Sequence, residues 1–335
     1  MEPGIEVQGL HKRFRVRADR RGFFAGIKAL AFPQTREVTA IESLSFSVAR
    51  GERVAFIGPN GAGKSTTLKV LSGILHPDSG EVRVLGLVPW QARRELGFRI
   101  GTVFGQRSQL WYHLPPDDTF ELLSHVYELD RAVFLRRREA LIHAFSLEPL
   151  LGKPVRQLSL GERMRCEIAA SLLHHPSVLF LDEPTIGLDV TAKSIVRELL
   201  LDQSERDGTS LLLTSHDTGD IERVCDRVLV IDRGALILDC PVSALRRQIR
   251  RKIVTLATAE PKLELSLPGV TVDDSVPHRT KLEVDNDRAD VSDVIRRALA
   301  SATVRDITVE DPPLEIIIQA LYENAKQTPL KEVAS

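Results

Sequence analysis

Gly58-Pro59-Asn60-Gly61-Ala62-Gly63-Lys64-Ser65-Thr66 follows the apolar run Arg53-Val54-Ala55-Phe56-Ile57 and precedes Thr67-Leu68-Lys69-Val70-Leu71, which has a helical pattern. A glycine-rich loop between a strand and a helix, closed by Lys-Ser, is a complete phosphate-binding P-loop in the context that motif requires. The glycines let the backbone curl so that several N–H groups converge on one anion. The helix opening near Gly63 adds its positive dipole end at the same place. Lys64 supplies a point charge for the β- and γ-phosphates, and the Ser65 hydroxyl is placed to ligate Mg²⁺. The whole run from Gly58 to Thr66 is therefore expected to cradle a nucleoside triphosphate.

A chain of 335 residues has room for about two domains, and 43% hydrophobic residues are enough for real cores. The charges nearly cancel, with 45 Lys and Arg against 46 Asp and Glu, which argues against a dedicated nucleic-acid partner. Three cysteines, Cys166, Cys225 and Cys240, have neither disulfide-framework nor metal-site spacing, as expected in a reducing cytosol. Apolar runs such as Leu211-Leu212-Leu213 are far too short to span a membrane. Met1-Glu2-Pro3-Gly4 lacks the basic-then-apolar order of a signal peptide, so a cytoplasmic protein is expected.

Strands alternate with helices along most of the chain. Ile5–Leu10 and Ile41–Val48 alternate apolar and polar residues, whereas Val178-Leu179-Phe180-Leu181 and Ser210–Thr214 are continuous apolar strands. Residues 117–175 read as helical. This pattern predicts an α/β domain with a largely parallel sheet. An unusual insert from Arg15 to Val38 carries six basic residues and two acids, Asp19 and Glu37, with Phe23, Ile27 and Leu30 on one face of a short helix. Near residue 240 the composition shifts. Ser243–Lys252 reads as a basic amphipathic helix, and later segments read as a small α+β domain of roughly ferredoxin-like kind.

The strand Val178–Leu181 ends in Asp182-Glu183-Pro184, two adjacent carboxylates at the ligand edge of a parallel sheet. Asp182 can hold Mg²⁺ through water, and Glu183 can orient or deprotonate the water that attacks the γ-phosphate. The order of motifs now resembles an ATP-binding-cassette (ABC) ATPase, over about residues 5–235. Leu158-Ser159-Leu160-Gly161-Glu162 stands where that family has its signature LSGGQ, and Arg165 fits the arginine that follows. Gln106, after Thr102-Val103-Phe104-Gly105, fits the Q-loop glutamine, a Mg²⁺ and water sensor that also faces the permease. Gly187-Leu188-Asp189 fits the D-loop, and His216 in Thr214-Ser215-His216-Asp217 fits the switch histidine at the γ-phosphate. Phe14 matches the position of the aromatic that stacks on adenine.

The resemblance implies an ABC ATPase domain over residues 1–240, with a mixed sheet, the 15–38 insert and a helical subdomain at about 115–175, followed by an accessory domain over 241–335. It implies ATP and Mg²⁺ as ligands and two ABC domains closing head to tail, the second from another copy or a related chain. Ser159 and the Gly161 N–H would then meet the partner's γ-phosphate. Integral-membrane permease subunits and a peripheral place on the cytoplasmic side of the membrane follow, with an export-type branch favoured. The alternative is a soluble ABC ATPase in DNA repair, translation or regulation. Leu160 and Glu162 depart from the family pattern. The leucine side chain must turn away from phosphate, and the glutamate adds repulsion unless Arg163 or Arg165 offsets it. Trp111 and Tyr112 read either as a permease-receiving surface or as core. The Arg136-Arg137-Arg138 run reads as a solvated helix face. The basic insert reads as a membrane-surface or permease contact, or as a solvated hairpin.

Overall fold

Alternating apolar residues build the first layer. In the computed structural model β1 (Pro3–Arg17) and β2 (Thr35–Ala49) pair antiparallel, burying Ile5, Val7, Leu10, Ile41, Leu44, Phe46 and Val48. Residues 3–17, 35–105, 108–245, 251–263, 265–312 and 314–327 are described. The pairing continues out to Arg17↔Thr35, so the two ends of the expected 15–38 insert are strand. The expected helix on Phe23, Ile27 and Leu30 lies outside the described residues.

The chain then runs through β3 (Arg53–Ile57), α1 (Lys64–Leu71), β4 (Ser79–Val84), α2 (Arg93–Gly97), β5 (Ile100–Phe104), α3 (Pro116–Val126), α4 (Arg131–Phe145) and α5 (Leu160–Leu172). It continues with β6 (Val178–Asp182), α6 (Val190–Asp207), β7 (Ser210–Thr214), α7 (Thr218–Val224), β8 (Arg227–Asp232) and β9 (Ala235–Pro241). The strands form one sheet in the order β4-β1-β2-β9-β8-β3-β7-β6-β5. The β8-β3-β7-β6-β5 portion is parallel, and β1, β2, β4 and the β8–β9 pair supply the antiparallel part. Parallel strands are covered on both faces, which is why Val54–Ile57, Val178–Leu181 and Val228–Ile231 are continuous apolar runs, all buried. Among the described residues β2 meets β9 at one ladder pair, Ser43↔Ala235, beside a Glu42 N–H donated to the Gly234 carbonyl at 3.1 Å.

Three helices lie between β5 and β6, where a helical subdomain is expected. The triple-arginine run on α4 is not uniformly solvated. Arg137 is 9% exposed, donates to the Leu172 carbonyl at 3.2 Å and pairs with Asp207 at 2.6 Å. Helical spacing turns Arg137 inward toward α5 and α6 while Arg136 stays exposed. The core reading of Trp111 and Tyr112 also fails, since they are 49% and 58% exposed.

The chain divides into two compact units, Met1–Pro241 and Val242–Ser335. The second holds α8 (Val242–Leu245), β10 (Arg251–Thr258), β11 (Val270–Val276), β12 (Arg279–Asp285), α9 (Val291–Ser301), β13 (Val304–Glu310) and α10 (Leu314–Gln327). Its sheet is antiparallel in the order β11-β12-β10-β13. That is the strand order of a ferredoxin-like unit, but no helix is found among the described residues between β10 and β11. Val294 and Ala298 of α9 pack on Val254, Leu256, Leu282 and Val284 of the sheet. The expected helix over Ser243–Lys252 does not reach its end, since Arg251 and Lys252 already belong to β10; residues 246–250 lie outside the described residues.

Candidate nucleotide-binding and catalytic site

Parallel strands deliver their carboxyl ends to one edge, and β3, β6 and β7 bring the expected chemistry together there. After Ile57 the chain turns through Gly58–Gly63 into α1. Two glycines are required by space rather than by flexibility alone. A Cβ on Gly58 would sit 2.5 Å from the Ile231 carbonyl oxygen, and one on Gly63, at φ 105°, would sit 2.5 Å from that of Ala40. Pro59 accepts from the Ala62 N–H at 3.1 Å, and Ala62 accepts from the Gly234 N–H at 3.0 Å, which fixes the loop against β8–β9. No side chain caps the start of α1 at Gly63. The first amides of a helix lack internal partners, so this start offers donors and positive dipole to an anion.

Lys64 is 6% exposed. Its ammonium donates to the Gly58 carbonyl at 2.5 Å and the Pro59 carbonyl at 3.3 Å, and lies 3.3 Å from His216 Nε2. Burial pushes the Lys64 pKa down, against the upward pull of Glu183 and Asp182. Ser65 Oγ donates to Asp182 Oδ1 at 3.1 Å. Thr214 Oγ1 donates to the same carboxylate oxygen at 2.7 Å and accepts from the Glu183 N–H at 3.1 Å. Glu183 Oε1 in turn lies 3.0 Å from His216 Nε2. The structure thus brings Lys64, Ser65, Asp182, Glu183 and His216 into one cluster.

Supporting residues not found from sequence complete the edge. Asp220, 1% exposed, accepts from Thr185 Oγ1 at 2.6 Å, from Ser215 Oγ, and from Arg197 Nε at 2.6 Å. Arg197 also reaches Asp217 at 2.7 Å, and Lys193 reaches it at 2.6 Å. This network ties the residues flanking Glu183 and His216 to α6. Thr214 was legible as the residue opening Thr-Ser-His-Asp, but Arg197 and Asp220 carry no local signal.

Ser159, Gly161 and Asp189 form a second group. They line a cavity of about 250 Å³ with Leu160, Gly187 and Ala192. Ser159 is the N-cap of α5 in a capping box. The Glu162 N–H donates to Ser159 Oγ at 3.2 Å, and the Ser159 N–H donates to Glu162 Oε2 at 2.8 Å. The hydrogen bond from the Ser159 backbone holds the Glu162 carboxyl below its usual range. The Glu162 carboxylate is thus committed to the helix start, and it keeps its negative charge there. The S-x-x-E spacing was the available signal. Arg165 does not offset it by a direct pair, donating instead to the Phe145 and Ser146 carbonyls at 2.9 and 3.3 Å. Leu160 lies over Gly187, whose added Cβ would meet Leu160 Cδ2 at 3.0 Å. Asp189 caps α6, accepting from the Ala192 N–H at 2.8 Å.

Gln106 lies outside the described residues. The preceding Gly105 N–H donates to the Asp182 carbonyl at 3.0 Å. Phe14 pairs with Val38 in the β1–β2 hairpin, with Lys12 Nζ 5.6 Å from its ring centroid.

A strand–loop–helix with an uncapped helix start, a buried lysine and an acid pair on the next strand but one defines a P-loop nucleoside-triphosphate-binding protein. Residues 41–186 match the family model described as ABC transporter. The chain is 32% identical over 309 residues to the daunorubicin resistance ATP-binding protein DrrA3 of Streptomyces coeruleorubidus, covering 88% of this chain and 94% of that protein. The chain belongs to the ABC transporter ATP-binding family, as the ATP-hydrolysing subunit that powers a membrane transporter. It is also 38% identical over 240 residues to the Nod factor export ATP-binding protein I of Ralstonia nicotianae, covering 70% of this chain and 66% of that one. A solved ATP-binding subunit of an ABC transporter superposes with a TM-score of 0.59 at 27% identity, covering 73% of this chain and 92% of that chain. No described helix is long and apolar enough to cross a membrane.

Proposed function

We propose that two copies of this chain bind ATP and Mg²⁺ between them, hydrolyse ATP and drive a separately encoded permease in export. The observation that carries the reading is the convergence of Lys64, Ser65, Asp182, Glu183 and His216 at the carboxyl edge of β3, β6 and β7. The uncapped α1 start and the loop from Gly58 to Thr66, Pro59, Asn60, Gly61 and Ala62 included, would hold the phosphates. Phe14 would stack on the base.

The hard oxygen pair of Ser65 and Asp182, 3.1 Å apart, fits Mg²⁺, and Gln106 would complete its surroundings. When bound, that cation would supply charge neutralisation to the phosphates. Glu183 accepts a proton from water as its oxygen attacks the γ-phosphorus. The bond to the β–γ bridging oxygen breaks, and ADP leaves. His216, within 3.0 Å of Glu183, holds the γ-phosphate side of the site. Lys64 faces the same space with a fixed charge. Ser159, the Gly161 N–H and Asp189 of the second copy close the other side, so turnover is tied to the closed dimer.

Export, rather than uptake, is supported by relatives named for Nod factor export and drug resistance. The exposed Trp111 and Tyr112 would receive the permease, which keeps the subunit at the cytoplasmic membrane surface. Glu183→Gln, which keeps the shape and removes the base, tests the core of this reading. With Mg²⁺ and ATP it is expected to elute as a stable dimer and without them as a monomer. A protein that stays monomeric with ATP, or hydrolyses at the parental rate, contradicts it.

A further inference from the structure

Glu167 has no part in the reading above, yet this α5 carboxylate is 4% exposed and engaged on both oxygens. Oε1 accepts from the Ser108 hydroxyl, and Oε2 accepts from the Gln109 N–H at 3.0 Å. The Gln109 side-chain amide returns to the Thr102 carbonyl in β5. Burial pushes the Glu167 carboxyl up, against the pull of the Ser108 and Gln109 hydrogen bonds. A buried acid with such partners is costly to keep, and an apolar residue would suit the helix interior better unless the contact matters.

The position of this contact explains its use. α5 lies close on β5. Gly101 lets the Ser171 carbonyl approach so far that an added Cβ would sit 2.5 Å from it. Just past α5, His174 Nε2 meets the Ile100 carbonyl at 2.9 Å, at the start of β5. Glu167 holds Ser108 and Gln109, beyond the other end of the strand. β5 is laddered to β6 through Phe104↔Asp182, and the Gly105 N–H donates to the Asp182 carbonyl. α5 opens at Ser159. Farther along, the Arg156 N–H donates to the Tyr112 carbonyl at 3.0 Å and the Val155 N–H to that of Leu114 at 3.0 Å. The segment after β5 is thus fastened both to the body of α5 and to the turn that leads into it.

We propose that Glu167 is a positioning residue for ATP hydrolysis: its carboxylate clamps Ser108 and Gln109, and through the Gln109 side chain β5, onto α5 and so sets Ser159 relative to Asp182 and Glu183. The clamp rests on the two-copy site described above. It touches no phosphate, so its loss disturbs turnover and leaves nucleotide binding at the P-loop intact.

The test uses the full purified chain with Mg²⁺ and ATP. Glu167→Leu leaves Ser108 and Gln109 without their acceptor. Its kcat is expected to fall about 10- to 100-fold, while its Kd for a non-hydrolysed ATP analogue changes by less than about 3-fold. Glu167→Gln can still accept from the Gln109 N–H and donate to Ser108 Oγ, so it restores most of the rate. Ser108→Ala lowers kcat less. Combined with Glu167→Leu it adds nothing further, because both remove one unit.

A parental kcat in Glu167→Leu overturns the proposal, as does a Glu167→Gln protein as slow as Glu167→Leu. If Glu167→Leu fails to fold, judged by circular dichroism and its thermal transition, Ser108→Ala decides: an unchanged kcat there overturns the clamp. Parental hydrolysis abolished by Glu183→Gln establishes the underlying reading separately, so a parental-like Glu167→Leu is a failure of the clamp alone.

Discussion

Glu183 Oε1 lies 3.0 Å from His216 Nε2, with the Glu183 backbone in the left-handed region at φ 53°. A non-glycine residue held there costs of order 1–3 kcal/mol, and such residues cluster at active sites. The Glu183 N–H donates to the Thr214 carbonyl at 3.0 Å and to Thr214 Oγ1 at 3.1 Å, which holds the backbone in place. The acid and the histidine come from different strands and are set by one threonine.

Removing the histidine should therefore separate binding from turnover. His216→Ala is expected to lower kcat by about 100-fold, the usual loss for one pre-aimed group at a developing charge. Affinity for a non-hydrolysed ATP analogue should change little, because the P-loop is untouched. Steady-state kinetics beside equilibrium binding checks this, and equal losses in both would refute the assignment.

Gly63→Ala should damage both fold and binding. The new Cβ would press on the Ala40 carbonyl at 2.5 Å, and φ 105° strains any L side chain. A destabilisation of about 1–3 kcal/mol in urea unfolding is expected, with much weaker ATP binding. Gly61, at φ 83° with open space around a Cβ, should give the smaller steric effect of the two.

Arg137, which is buried, and Asp207, which is not, make a testable pair at 2.6 Å. Arg137→Ala removes a buried side chain together with its bonds to Leu172 and Asp207, and is expected to cost about 1–2 kcal/mol in chemical unfolding. Arg137→Met combined with Asp207→Leu should be closer to parental stability, since neither charge is then left alone. A single variant as stable as the parent would show the pair to be ornamental.

The capping box predicts a pH signature. The folded Glu162 pKa is depressed from its ordinary value of 4.5 by the Ser159 N–H. A depressed acid contributes stability that is present above the unfolded value and lost as pH falls through the folded one. Glu162→Gln keeps an acceptor but not the charge. The stability gap between parent and variant should be flat above about pH 5.5 and shrink below about pH 4.5. Urea titrations across that range check it, and a gap that stays constant in acid would exclude the mechanism.

The parts legible in the sequence were those fixed by short-range rules. The P-loop, the Val178–Asp182 strand with its acids, and Ser210–Thr214 follow from local period and a strand-end motif. Contacts that link distant segments were not legible. Arg137 looked like one of three solvated charges because nothing in its neighbourhood announces Asp207, seventy residues on. Arg197, Asp220 and Glu167 act through partners that only the packed sheet brings near. Glu162 was readable as a helix cap from Ser159 and its spacing, but comparison with the signature pattern drew attention to its charge instead. The hairpin outgrew its expected ends because Arg13–Arg17 and Thr35–Thr39 pair by backbone, whatever their side chains.

The narrow join between β2 and β9 has a wider consequence. Ser43↔Ala235 is a zip with one tooth among the described residues, and beside it Gly234 reaches the P-loop through the Ala62 carbonyl while Ala40 presses on Gly63. Beyond the shared core, one latch between the sheet's antiparallel flap and its parallel half therefore sits at the loop's own doorstep. An anion drawn into the loop would stiffen that latch. The exchange protection of the Glu42 amide would then report, from outside, whether the doorway is filled.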